Sequence, residues 1–134
     1  MSLIFNISRD DFLTGLASLQ NVTGKKGNIA ILSNILIESK TDSLLLTATD
    51  LEIGIRNSLP AEILSQGSIT LPAKKLFEIV RESNADQIHI EILENNWAKI
   101  GAGSTDYKLA GMPSEEYPAF PEYDENMLTS LSSD

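Results

Sequence analysis

The chain has no cysteine, one histidine, one tryptophan, and only ten lysines and arginines against nineteen aspartates and glutamates. Without cysteine there can be no disulfide framework, thiolate metal site or cysteine nucleophile. A single histidine, His89, is too few for a multi-histidine metal centre, so no metal or other cofactor is expected. No apolar run approaches the ~18–20 residues that cross a bilayer, and no membrane partner is expected. The N-terminal stretch MSLIFNISRDDF lacks a basic segment followed by a small-residue cleavage site. No export signal is therefore visible, and a cytoplasmic location is expected.

What is present is the composition of an ordinary globular protein, 42% hydrophobic and 22% charged over 134 residues, enough for one core. The formal charge of −9 disfavours a simple basic nucleic-acid binder. Local positive surface survives within an acidic protein, however, because salt screens charges beyond ~8 Å. Half of the bases fall in two windows, Lys25–Lys26 and Lys74–Lys75 with Arg81.

The periodicities order themselves as strand, helix, three strands, then the same again. LIFNI alternates as a strand, and Ser8 reads as the N-cap of a helix running to about Gln20 that buries Phe12, Leu13, Leu16, Ala17 and Leu19. A glycine–lysine loop leads to the apolar run from Ile29, and LLLTAT and LEIGIRNSL follow as strands. In the second half GSITL is a strand, and Pro72 opens the helix AKKLFEIVRES in its first turn, with Ala73, Leu76, Phe77 and Val80 on one face. QIHIEIL, WAKIGAG and STDYKLAG complete about eight strands, with Trp97 expected in the core. Thr49–Asp50 and Thr105–Asp106 fall at matching strand junctions, a weak sign of internal duplication. The expected class is α+β, two helices packed on antiparallel sheet with an internal pseudo-repeat. After Gly111 three of the five prolines and six acids accompany no base, so an irregular segment pinned by Tyr117 and Phe120 is expected.

No catalytic set emerges. His89 alternates with Ile88 and Ile90 and reads as structural, and no nucleophile elbow or phosphate-binding glycine motif occurs. Carboxylate neighbours such as Asp50 and Glu52, or Glu115 and Glu116, read as turn and solvated loop. The lysine windows differ, because Lys74 and Lys75 fall at the start of a helix, where the dipole also favours anions. Neither window has interleaved aromatics or a base-reading set, so any polyanion would be held through its backbone, without sequence preference. An acidic adaptor that uses its strand edges and a small hydrolase built on His89 are the rival readings.

Four blocks carry a family resemblance. Ile31–Glu38 (ILSNILIE) resembles the P-I-L-S-N-x-L-I-E stretch of the bacterial DNA polymerase III beta subunit, the replication sliding clamp, with Ala30 in place of the family's proline. Leu46–Glu52 (LTATDLE), Leu71–Ile79 (LPAKKLFEI), and Tyr107–Pro113 with Glu116–Pro118 resemble three further signatures, in order and at the right intervals. The resemblance implies a DNA clamp fold, with residues 1–121 as the N-terminal domain and 122–134 as a linker or the start of a second domain. It also implies a non-catalytic subunit of the polymerase holoenzyme: a ring around double-stranded DNA, gripped without regard to sequence, that serves as a processivity factor in DNA replication. By the same resemblance the ring is a homodimer, closed through the third domain of the other chain. The replicative polymerase and the clamp loader would bind on domains beyond this one. The family's DNA-contacting bases match Lys26 and Lys74, while Lys25, Lys75 and Arg81 are added from local charge. Its ring-closing residues match Tyr107 and Leu109, with Lys75 beside them; Tyr107 stands where the family has phenylalanine.

Overall fold

Ser8 shows how the first elements arise in the computed structural model, which describes residues 2–20, 33–49 and 53–118. Strand β1 (Ile4–Ser8) turns Phe5 and Ile7 inward, and its last residue caps helix α1 (Arg9–Leu19). The Ser8 hydroxyl accepts from the Asp11 amide at 3.3 Å, and Asp10 and Asp11 occupy the first turn, where the helix dipole favours them. Phe12, Gly15, Leu16 and Leu19 are buried, and the Phe12 ring meets Phe5 edge-on, 6.1 Å between centroids at 86°. Ala17, expected inward, is exposed, because the buried stripe passes through 12, 16 and 19 and leaves 17 on the solvent side.

The remaining elements are β2 (Asn34–Ser39), β3 (Ser43–Thr49), β4 (Gly54–Pro60), β5 (Glu62–Ser65), β6 (Ser68–Pro72), α2 (Ala73–Glu82), β7 (Gln87–Ile92), β8 (Trp97–Ala102) and β9 (Thr105–Ala110), followed by a 3-10 turn, Ser114–Glu116. The eight expected strands are all present, and β5 is a ninth, only four residues long. Pro72 lies one position outside the helix: it is the N-cap of α2, at ψ 122, and ends β6 opposite Asn34. A proline without an amide fits there because no helical bond is lost.

The strands form two antiparallel sheets, ordered β5-β1-β7-β8-β9 and β4-β3-β2-β6. Here the pseudo-repeat has a definite form. Each half contributes a three-strand meander, β2-β3-β4 or β7-β8-β9, and lends its first strand to the other half's sheet: β1 pairs with β7, and β6 with β2. Ile35, Ile37, Leu44 and Leu46 from one sheet and Ile88, Ile90 and Ile100 from the other enclose the core with both helices. Trp97 departs from expectation at 40% exposure. Ala98, Ile100 and Ala102 take the inward positions of β8, so the strand's period of two turns residue 97 outward.

The four-residue β5 ends one sheet beside β1, and one of the four sheet edges is bridged: Met112 pairs with Thr70 across the far side of β6. Gly111 is what lets the chain cross there, since a Cβ would stand 2.6 Å from the Thr70 carbonyl oxygen. Among the described residues, β9, β4 and the short β5 keep one free side each.

After the 3-10 turn Tyr117 is buried, and its hydroxyl accepts from the Thr49 amide at 3.0 Å; Phe120 lies outside the described residues. Burial pushes the phenol above its ordinary value of 10.0, an effect that the Thr49 hydrogen bond partly offsets. An acid whose native pKa is raised adds stability that is complete below the unfolded value and is lost as pH rises through the native one. Thermal unfolding should therefore show a loss of stability setting in above pH 10.0. Tyr117→Phe should flatten that loss and cost about 1 kcal/mol at neutral pH, where the hydrogen bond is missing.

Candidate nucleic-acid and assembly interface

The N-terminus of α2 presents the positive charge. Ala73, Leu76 and Val80 anchor the helix to the core, which leaves Lys74, Lys75, Glu78, Arg81 and Glu82 exposed. Pro72 makes no side-chain cap bond, so no side chain competes there with an incoming anion for the first-turn amides. Lys74 and Lys75 thus add two cations to an end already favourable to phosphate. Lys25 and Lys26 lie outside the described residues. The described chain resumes at Ser33 and leads into Asn34, which pairs with Pro72, two residues before Lys74.

Arg9, the one base on the first helix, is engaged elsewhere. Its Nε donates to the Val80 carbonyl at 3.1 Å and an Nη to the Arg81 carbonyl at 2.7 Å, and it pairs with Asp10 at 3.2 Å. Arg9 therefore caps the C-terminus of α2, where free carbonyls and the dipole favour a cation. This also sets the start of α1 beside the end of α2. Arg9→Ala should cost about 1–3 kcal/mol in denaturant unfolding, and Arg9→Lys should recover little of it, because one ammonium cannot reproduce the forked contact.

Arg81 stands over the Phe77 ring, 5.6 Å from its centroid, and approaches Glu82 at 3.6 Å. Together with Lys75 it borders a groove of about 570 Å³ between α2 and the free edge of β9, lined also by Ile79, Tyr107, Lys108 and Leu109. All three residues expected at the ring-closing contact thus meet at one groove. Their burial differs: Tyr107 is half-buried, whereas Leu109 is 7% exposed and belongs to the core. That difference was hidden in the sequence, where both simply alternate along a strand.

His89 takes a structural place. Its Nδ1 lies 2.6 Å from Asn6 Oδ1, and Asn6 Nδ2 donates to Glu62 Oε1 at 3.0 Å, a row across β7, β1 and β5. The row ties β5 to its neighbours and holds no nucleophile within those contacts. Among the described residues no group of three or more His, Cys, Asp or Glu could hold a metal ion, and no helix is long and apolar enough to cross a membrane.

Comparison with known proteins agrees with this fold. The family described as DNA polymerase III beta subunit, N-terminal domain, matches residues 3–121. The beta sliding clamp of Chlamydia muridarum is 32% identical over 130 residues, a match that covers 97% of this chain and 36% of that protein. The beta sliding clamp of Haemophilus influenzae is 32% identical over 120 residues, covering 89% of this chain and 33% of that protein. Among solved structures, a C. crescentus beta sliding clamp superposes with a TM-score of 0.86 at 31% identity, covering 92% of this chain and 33% of that one. The sliding clamp from Bacillus subtilis, at 24% identity and a TM-score of 0.87 over 98% of this chain and 39% of that one, shares the fold. The chain spans roughly a third of the length of these relatives.

Proposed function

Because the chain belongs to the DNA polymerase III beta subunit family and corresponds to its N-terminal domain, we propose that it serves as one segment of a closed ring that encircles duplex DNA and tethers the replicative polymerase. The role is topological and involves no bond-making step. The observation that carries this reading is the pair of exposed lysines at the uncapped start of α2, within an otherwise acidic chain.

A ring that must slide needs contacts that are few, electrostatic and blind to sequence. Lysines on a helix end supply that, and the −9 charge of the whole is compatible because only the inner surface needs positive potential. Lys74 is the principal DNA contact in this reading. Lys26 joins it, since it lies eight positions before Asn34 and so within about 27 Å of chain reach from the α2 entrance. Lys25 adds a secondary contact. Lys75 and Arg81, at the groove, serve the assembly more than the DNA.

Closure would use terminal strands. β4 and β9, each at the end of a different sheet, suit a head-to-tail contact, and heterologous contacts can close into rings. In the proposed assembly β9 and its groove receive the third domain of another chain, with Tyr107 and Lys75 in direct contact and Leu109 supporting them from the core. The polymerase and loader sites belong to the rest of the ring. Duplex affinity after charge reversal at Lys26 and Lys74 tests the reading, and unchanged affinity would overturn it.

A further inference from the structure

We propose that Asp11 and Asp86 act on DNA by repulsion: they hold a duplex off the end of the helix pair where α1 begins, so that it is gripped at the Lys74 end alone. The inference deepens the ring reading and rests on it. The two helices pack side by side, and Arg9 fastens the start of α1 to the Val80 and Arg81 carbonyls at the end of α2. Both bury their apolar stripes in the same core, Phe12 and Leu16 from one, Leu76 and Val80 from the other. Their exposed sides therefore form one surface, with a helix N-terminus at each end.

The two N-termini are built in opposite ways. The start of α2 has no side-chain cap and no acid in its first turn, and it presents Lys74 and Lys75. The start of α1 is capped by Ser8 and carries Asp10 and Asp11 in its first turn, all features that turn an anion away. Asp86 adds a third carboxylate there, lining with Asp10 a polar hollow of about 270 Å³. A helix-stabilising role accounts for Asp10 and Asp11, but not for Asp86, which lies outside any helix or strand.

The bases at this end are already engaged. Arg9 pairs with Asp10 at 3.2 Å, and Arg81 approaches Glu82 at 3.6 Å. Among the described residues Asp11 and Asp86 have no ion pair. The other exposed positions of α1, Thr14, Ala17 and Ser18, carry no charge to offset them. Lys74 and Arg81 stand seven positions apart, about 10 Å of helix rise, which exceeds the ~8 Å screening length at physiological salt. The acids thus leave the lysines their charge and act on any phosphate that nears α1. A duplex laid along both ends meets attraction at one and repulsion at the other, which keeps its contacts few.

Fluorescence anisotropy of the 134-residue chain with a mixed-sequence duplex, at about 50 mM salt, tests the inference. Asp11→Asn with Asp86→Asn should tighten duplex binding about threefold, because one charge ~8 Å from a phosphate in water changes an equilibrium about twofold. Asp11→Lys with Asp86→Lys should tighten it about tenfold or more. The slope of log affinity against log salt should then steepen by about two, one new phosphate contact per lysine. Glu115→Lys with Glu116→Lys makes the same change in net charge on the 3-10 turn, which belongs to neither helix, and should leave the slope unchanged. Thermal unfolding at an unchanged midpoint would verify that the fold is kept. Unchanged affinity in the asparagine variant overturns the inference. So does a gain at Glu115 and Glu116 equal to that at Asp11 and Asp86, since net charge alone would then be the cause. If charge reversal at Lys26 and Lys74 leaves affinity untouched, the ring reading fails and this inference with it. If that reversal weakens binding while the Asp11 and Asp86 variants bind like wild type, only this inference fails.

Discussion

Lys26→Glu combined with Lys74→Glu should abolish most duplex binding by the chain at low salt while leaving its unfolding midpoint in place. Each phosphate contact contributes about 0.9 to the slope of log affinity against log salt, so two lost contacts should flatten that slope by about two. Near 50 mM salt the same arithmetic gives a loss of about a hundredfold, before any added repulsion from the new carboxylates. Fluorescence anisotropy with a mixed-sequence duplex reads both quantities, and a second duplex of different sequence should give the same result. Lys75→Glu is the informative contrast. Lys75 borders the groove at β9, so its reversal should disturb association with a partner strand more than the salt slope. Equal loss of DNA affinity from both changes would mean that the exposed surface of α2 acts as one undivided patch.

Phe12→Ala should be the most damaging single truncation for stability, at about 3–5 kcal/mol. Phe12 is 0% exposed and packs edge-on against Phe5 of β1, so its removal empties the space between α1 and the five-stranded sheet. A loosened α1 would also shift Arg9, which caps α2 through the Val80 and Arg81 carbonyls. Damage at Phe12 therefore spreads to the helix that carries Lys74. Urea unfolding should show the midpoint fall at nearly constant slope, and thermal unfolding a drop of about 10–20 °C. A loss below about 1 kcal/mol would mean that the core refills the space more readily than buried aromatic sites usually allow.

Local chemistry made much of this legible in the sequence, and long-range pairing accounts for what it hid. Ser8 and Asp11 announce the first helix because capping is a contact between residues three apart, and the hydroxyl does accept from that amide. The apolar stripe of the second helix was equally plain, and with it the exposure of Lys74 and Lys75. β5 escaped notice because four residues between Pro60 and Gly67 carry little pattern; only pairing with β1 makes them a strand. Trp97 was misplaced because size suggests a core residue, whereas the parity of β8 decides which way it turns. Nothing local in the sequence marks the role of Arg9, because its two carbonyl partners lie more than seventy residues away. The groove beside β9 needed the strand order, since no local signal makes β9 a terminal strand.

The reciprocal loan of first strands carries a consequence for how such a chain could arise. Severed between β5 and β6, each half would keep its own meander but would have left its opening strand in the other's sheet. Neither piece could close its core by itself, and the two would regain their sheets only by meeting. An ancestor of half this length would have existed as two intertwined polypeptides, and fusing their genes would have turned an encounter between molecules into a fold within one.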